Sequence, residues 1–262
     1  MQKQQLSIII IILTQMMSPR TGAAQTDWLQ QSHAKYRLFY KNPDKNGKNQ
    51  YEELVDEALT KVQQFFGSPM SRPFDVFVHP NRASLDQQWR RDWNMPEFKS
   101  ECWMVASGIA TKLDLVSPRV WETEACEHHY ADKTKTSQLI LHEVVHVFHG
   151  QNNPSPDFSE VEGIDWFVEG LATYASGQCD ENRMLEVKKA LKSNGLPNSL
   201  DQLWQGNTKY GLSGSMVEFI DKEFGRARLT GLMKFRKKQE ILDAMGVTES
   251  QLIARWGAYM EK

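Results

Sequence analysis

The residues His142-Glu143-Val144-Val145-His146 place two imidazoles four positions apart with a carboxylate beside the first. On a helix, positions i and i+4 share a face, so both rings can reach a single ion. Glu143, one position on from His142, is displaced around the helix and meets a water next to that ion instead of the ion itself. This is the HExxH arrangement, in which zinc acidifies a water and the glutamate takes its proton as the oxygen attacks a carbonyl. Leu139, Ile140, Leu141, Val144, Val145, Val147 and Phe148 surround the motif and predict a buried helix. A core helix whose histidines find ordinary hydrogen-bond partners is the competing account. Buried imidazoles and a carboxylate at this density are costly unless something satisfies them.

A third donor follows after residues 147–168. Glu169 stands alone in Trp166-Phe167-Val168-Glu169-Gly170-Leu171-Ala172-Thr173-Tyr174, a second apolar helical segment with one carboxylate at its middle. A lone buried glutamate needs a cation or a proton. Two histidines and a glutamate with an open fourth position form a known catalytic zinc set. The expected metal ligands are therefore His142, His146 and Glu169, the expected cofactor is Zn2+, and Glu143 is the expected general base.

HEVVH followed by WFVEGLATY resembles the gluzincin metallopeptidases, in particular the peptidase MA-like domains, over about residues 113–177. The resemblance implies an α+β, zincin-like fold. An N-terminal mixed β-sheet with helices would precede a mostly helical C-terminal lobe, with the active-site cleft between them. It implies that residues 108–118 form the substrate-facing edge strand. It also implies an electrophilic tyrosine from the helical lobe for the oxyanion. Tyr210, expected just before a helix, resembles that placement and is the expected second catalytic residue, with packing at a helix start as the alternative. Tyr174 is a second candidate. Thermolysin-like enzymes carry an aspartate four residues after the glutamate ligand to orient a histidine. Thr173 stands there in this chain, and Asp165, one turn before Glu169, is a possible substitute. The metzincin pattern fits less well, with Gly150 one place late and Asn152 where a third histidine belongs.

The elements that must position these groups have their own signals. Residues 36–41, 74–78, 103–106 and 109–116 read as strands, and residues 51–66 and 82–93 as helices. From residue 136 onward the pattern is helical: 137–149, 164–176, 181–193, 213–224, 227–235 and 249–260, punctuated by glycines and prolines. A single domain over residues 25–262 follows, with an α/β lobe at about 34–150 and a helical lobe at about 160–262. His149 reads as a helix C-terminal histidine favoured by the dipole. His128 and His129 read as a solvated loop, and Trp89, Trp93, Trp103 and Trp121 as packing.

Net charge is -2, from 31 Lys+Arg against 33 Asp+Glu, and no basic stripe interleaves with aromatics, so nucleic acid is not an expected partner. Lys3, the apolar run of residues 6–13 and the small residues before residue 25 read as a signal peptide over residues 1–24. No other segment is long enough to span a membrane, so the mature chain is expected to be secreted or periplasmic. In that compartment two of Cys102, Cys126 and Cys179 can pair, with the pairing left open by their spacing. The expected activity is a secreted zinc metallopeptidase acting on a peptide or protein. The alternatives are an inactive zincin-fold binding module and a metal-dependent hydrolase of non-peptide amides or esters. The absence of a GxMxN-type anchor for a free amine tilts the expectation toward endopeptidase action.

Overall fold

The computed structural model describes residues 27–262; the expected signal peptide lies outside them. The chain is an α+β fold built on a five-stranded mixed sheet. Strand β1 (Leu29–Ser32) is antiparallel to β2 (Tyr36–Tyr40), and α1 (Lys48–Phe66) leads to β3 (Phe74–His79). Then come α2 (Arg82–Asp92), β4 (Ala106–Ile109), β5 (Lys112–Val116) and the short α3 (Trp121–Glu124). β5 inserts parallel to β3, β3 is parallel to β2, and β4 closes the far edge antiparallel to β5, giving the order β1-β2-β3-β5-β4. The helical half comprises α4 (Lys133–Gln151), α5 (Asp165–Ala175), α6 (Glu181–Asn194) and α7 (Lys209–Phe224), followed by α8 (Arg226–Leu232), α9 (Lys238–Met245) and α10 (Glu249–Met260). No helix among the described residues is long and apolar enough to cross a membrane.

Side-chain period explains most of these elements. Tyr36, Leu38 and Tyr40 of β2 and Phe74, Val76 and Val78 of β3 alternate into the core. Tyr51, Val55, Ala58, Val62 and Phe66 form one buried stripe along α1, which Gly67 ends in the left-handed region. Asn81 and Asp132 cap α2 and α4 by accepting from Ser84 N and Lys135 N. Both halves contribute to one continuous hydrophobic core.

Several expectations are corrected. Residues 103–105 are not a strand: they belong to a turn closed by the Cys102–Cys126 disulfide, which leaves Cys179 free. The Arg82 guanidinium fixes that turn by donating to the carbonyls of Glu101, Cys102, Met104 and Glu124. Residues 108–118 are not one edge strand. They turn at Ala110-Thr111, and β4 is the edge while β5 lies inside the sheet, its last four residues buried on both faces. Helix α7 begins four residues earlier than expected and includes Tyr210. β1 and α9 add to the expected elements: β1 forms by pairing its polar backbone with β2, and α9 buries Ile241, Leu242 and Met245 on one face.

A charged network buried beside the sheet ties β3 to β5. His79 Nε2 donates to Asp114 Oδ1 at 3.0 Å, and Lys112 Nζ donates to Asp114 Oδ2 at 2.7 Å and to Asp92. Burial pushes the Asp114 carboxyl up, but His79 and Lys112 outweigh it and hold the group below its ordinary value. Its stabilising share is therefore present above the unfolded carboxylate pKa and is lost as pH falls through the lower folded value. Asp114→Ala leaves the buried His79 Nε2 without its acceptor and Lys112 with Asp92 alone, and should cost about 3–5 kcal/mol at neutral pH. Urea unfolding is the measurement; a loss below about 1 kcal/mol would show the network to be energetically idle.

Candidate metal centre

Helix α4 is buried from Ile140 to Gly150, polar residues included. It is sandwiched between the sheet edge, α1 and α5, which explains why its sequence is apolar on every side. Two glycines set how closely the β4 hairpin crosses it. A Cβ on Gly108 would stand 2.2 Å from the Glu143 carbonyl oxygen, and one on Gly150 would stand 2.8 Å from Ala110 N and 2.6 Å from Pro156 O. On the other side, a Cβ on Gly170 of α5 would meet Ser213 O of α7 at 2.4 Å, and one on Gly214 of α7 would meet Cys179 Sγ at 2.5 Å. α5 and α7 therefore pack nearly backbone to backbone, and the residue before Gly170 is turned toward α4. That residue is Glu169.

The three expected ligands converge. His142 Nε2 and His146 Nε2 lie 3.1 Å apart, and Glu169 Oε2 lies 3.4 Å from the first and 3.6 Å from the second. Donors about 2.0–2.1 Å from one tetrahedral ion stand about 3.3–3.4 Å from each other, so this triangle suits a single small cation. His142 Nδ1 donates to Gln178 Oε1 at 3.0 Å. The neutral ring then carries its free lone pair on Nε2, which faces the other two donors. Burial pushes the Glu169 carboxyl up, but His146 and His142 beside it outweigh this and hold it below its ordinary value.

Glu143 is buried on the adjoining face. Desolvation raises its carboxyl to about 7; His142 and the Gly108 N–H pull it down while Glu169 pushes it up. A carboxyl near neutrality can both accept and return a proton, as a general base and acid must. Tyr210 sits in the first turn of α7, its ring centre 6.2 Å from that of His142 and packed edge-on against Trp204 at 4.9 Å. Burial, then Glu169 and Glu143, raise its hydroxyl, so it stays a proton donor. It also lines a cavity of about 440 Å³ together with Trp103, Glu127, Arg183 and Lys209.

Other residues fall elsewhere. Tyr174 donates to Asp221 Oδ2 at 2.8 Å, joining a cluster with Arg226. Asp165 is exposed and bonds to neither histidine, so it does not replace the missing aspartate; Thr173 is buried with its Oγ1 unpartnered. His149 is fully buried, its Nε2 donating to Met233 O at 3.2 Å, and desolvation lowers it to about 3. It is a neutral core histidine, which corrects the expectation of a charge at the helix dipole. His128 donates to Trp103 O and His129 pairs with Glu122, and neither joins a metal-ligating group among the described residues. Trp89 and Trp121 are core residues, Trp93 stacks on Trp89 at 4.9 Å, and Trp103 borders the cavity.

Two contacts escaped the sequence: Gln178, and Phe158, whose φ is 60° and whose ring lies 6.1 Å from that of His146. A bulky residue in the left-handed region is held there by its surroundings. No protein-family model matches the chain, and no curated protein matches it at a significant level.

The close crossing of β4 over α4 gives a test. Gly108→Ala forces the edge strand away from Glu143 and should lower stability by about 1–3 kcal/mol. Gly231→Ala, whose added methyl meets nothing within 4 Å, should be neutral or stabilising by up to about 1 kcal/mol. Equal denaturation midpoints for the two variants would remove the crossing as a constraint.

Proposed function

We propose that the chain is a zinc-dependent metallopeptidase of the gluzincin type, with a zincin-like fold and a substrate cleft beneath β4. The observation that carries this is the triangle of His142, His146 and Glu169 with a proton-accepting Glu143 one residue from the first ligand. Two histidines and one carboxylate leave a position for water, the donor set of catalytic zinc and not of closed structural sites. When bound, zinc would polarise a substrate carbonyl and make water acidic near neutral pH.

The chain's own residues account for the rest. Glu143 accepts the proton of the attacking water and passes it to the departing amine. Tyr210 keeps its hydroxyl protonated and donates to the oxyanion that develops on the former carbonyl. Its place beside His142 supports this, as do the burial and then the Glu169 and Glu143 carboxylates that raise it. β4 pairs only with β5 among the described residues, leaving an outer edge along which an extended peptide can add as a strand. That edge favours a peptide over other amides and esters. Export belongs to the same proposal, and the Cys102–Cys126 disulfide supports an oxidising compartment.

Elemental mass spectrometry of purified protein should find one zinc per chain, lost or greatly weakened in Glu169→Ala. Glu143→Gln should keep the zinc and lose peptide hydrolysis by a factor of at least about 100. Wild type without zinc after reconstitution would sink the metal reading. Undiminished hydrolysis by Glu143→Gln would sink the assigned base.

A further inference from the structure

The ligand helix α5 ends in a way that bears on the opposite histidine. Gly177 takes φ 75°, its N–H donates to Tyr174 O at 3.0 Å, and the N–H of Gln178 donates to Thr173 O at 3.0 Å. These paired bonds are a Schellman cap, which reverses the chain at a left-handed glycine. The reversal is docked on α4, because Gln138 Nε2, one turn before His142, donates to Gly177 O at 2.8 Å. The next side chain, Gln178, is thereby laid against His142, where Oε1 accepts from Nδ1 at 3.0 Å. Neither position expected to orient a histidine does so: Thr173 is buried without a partner for its hydroxyl, and Asp165 is exposed.

We propose that Gln178, aimed by the Schellman cap at Gly177, is the positioning residue that fixes the ring and tautomer of His142 for metal binding. This rests on the metal centre proposed above. The amide has one acceptor and two donors. Only the orientation with Oε1 toward the ring leaves the Nε2 lone pair directed at His146 and Glu169; the reverse would put a hydrogen there. Helix α5 thus serves the site twice, through Glu169 at its middle and Gln178 just past its end. The polar partner of a metal-bound histidine typically contributes tenfold to a hundredfold in metal affinity.

Zinc affinity measured by competition with a chromophoric chelator, alongside thermal melting of the metal-free proteins, tests this. Gln178→Leu, of similar size and without an acceptor, should bind zinc about 10–100-fold more weakly than wild type. Gln178→Glu retains the acceptor and should stay within about threefold of wild type or tighter. Both metal-free variants should melt within about 2 °C of the parent, since the contact is half-exposed and lies outside the core. Wild-type zinc affinity in Gln178→Leu would overturn the role of Gln178 while leaving the metal centre intact. An equal loss in both variants, matched by lower metal-free stability, would assign Gln178 to packing and overturn it too. Zinc-free wild type would remove the metal centre, and this proposal with it.

Discussion

Two imidazole nitrogens face each other at 3.1 Å inside an apolar helix crossing, and a carboxylate oxygen completes their triangle. Outside water, such a concentration of lone pairs is unfavourable without a shared positive charge, a proton or a metal ion. The surroundings make sense as devices for holding that triangle. α4 is apolar on all sides because it is enclosed. α5 carries one carboxylate in a buried run, at the position that reaches the two imidazoles of α4.

Close backbone approach gives this arrangement its rigidity. Gly108 and Gly150 let the β4 hairpin lie on α4, Gly170 lets α5 meet the α7 backbone, and Gly214 makes room for the side chains of Cys179 and Thr173. At Gly108, Gly150 and Gly170 a methyl group would require whole elements to shift, because the nearest atoms it meets are backbone. His142, His146 and Glu169 therefore sit on packed helices and not on loops, which restricts their donor atoms to small displacements. The same packing buries Glu143 beside the histidines, and desolvation gives its carboxyl the near-neutral character that proton transfer needs.

Away from the centre, polar groups stabilise the frame. The Asp114 cluster joins two parallel strands under the edge hairpin, and Arg82 gathers four carbonyls of the disulfide-closed turn that holds Trp103 at the cavity. Tyr174, Asp221 and Arg226 join α5, α7 and α8. Each is a set of hydrogen-bonded charges, costly to break singly once withdrawn from water.

The sequence by itself determined the donor types and their local geometry. Helical period places His142 and His146 on one face whatever the fold, and an isolated Glu169 in an apolar run signals a partner across a helix interface. The alternating strands β2 and β3 and the striped helix α1 were legible for the same reason: their signals are carried by neighbours in the chain. Tertiary structure decided what depends on residues far apart. That β5 lies inside the sheet and β4 at its edge, that Cys102 meets Cys126, that His149 is buried neutral, and that Gln178 folds back on His142 leave no local period to read. Each is settled by which surfaces pack together, since a hydrogen bond or pKa at these positions depends on a neighbour supplied by another element.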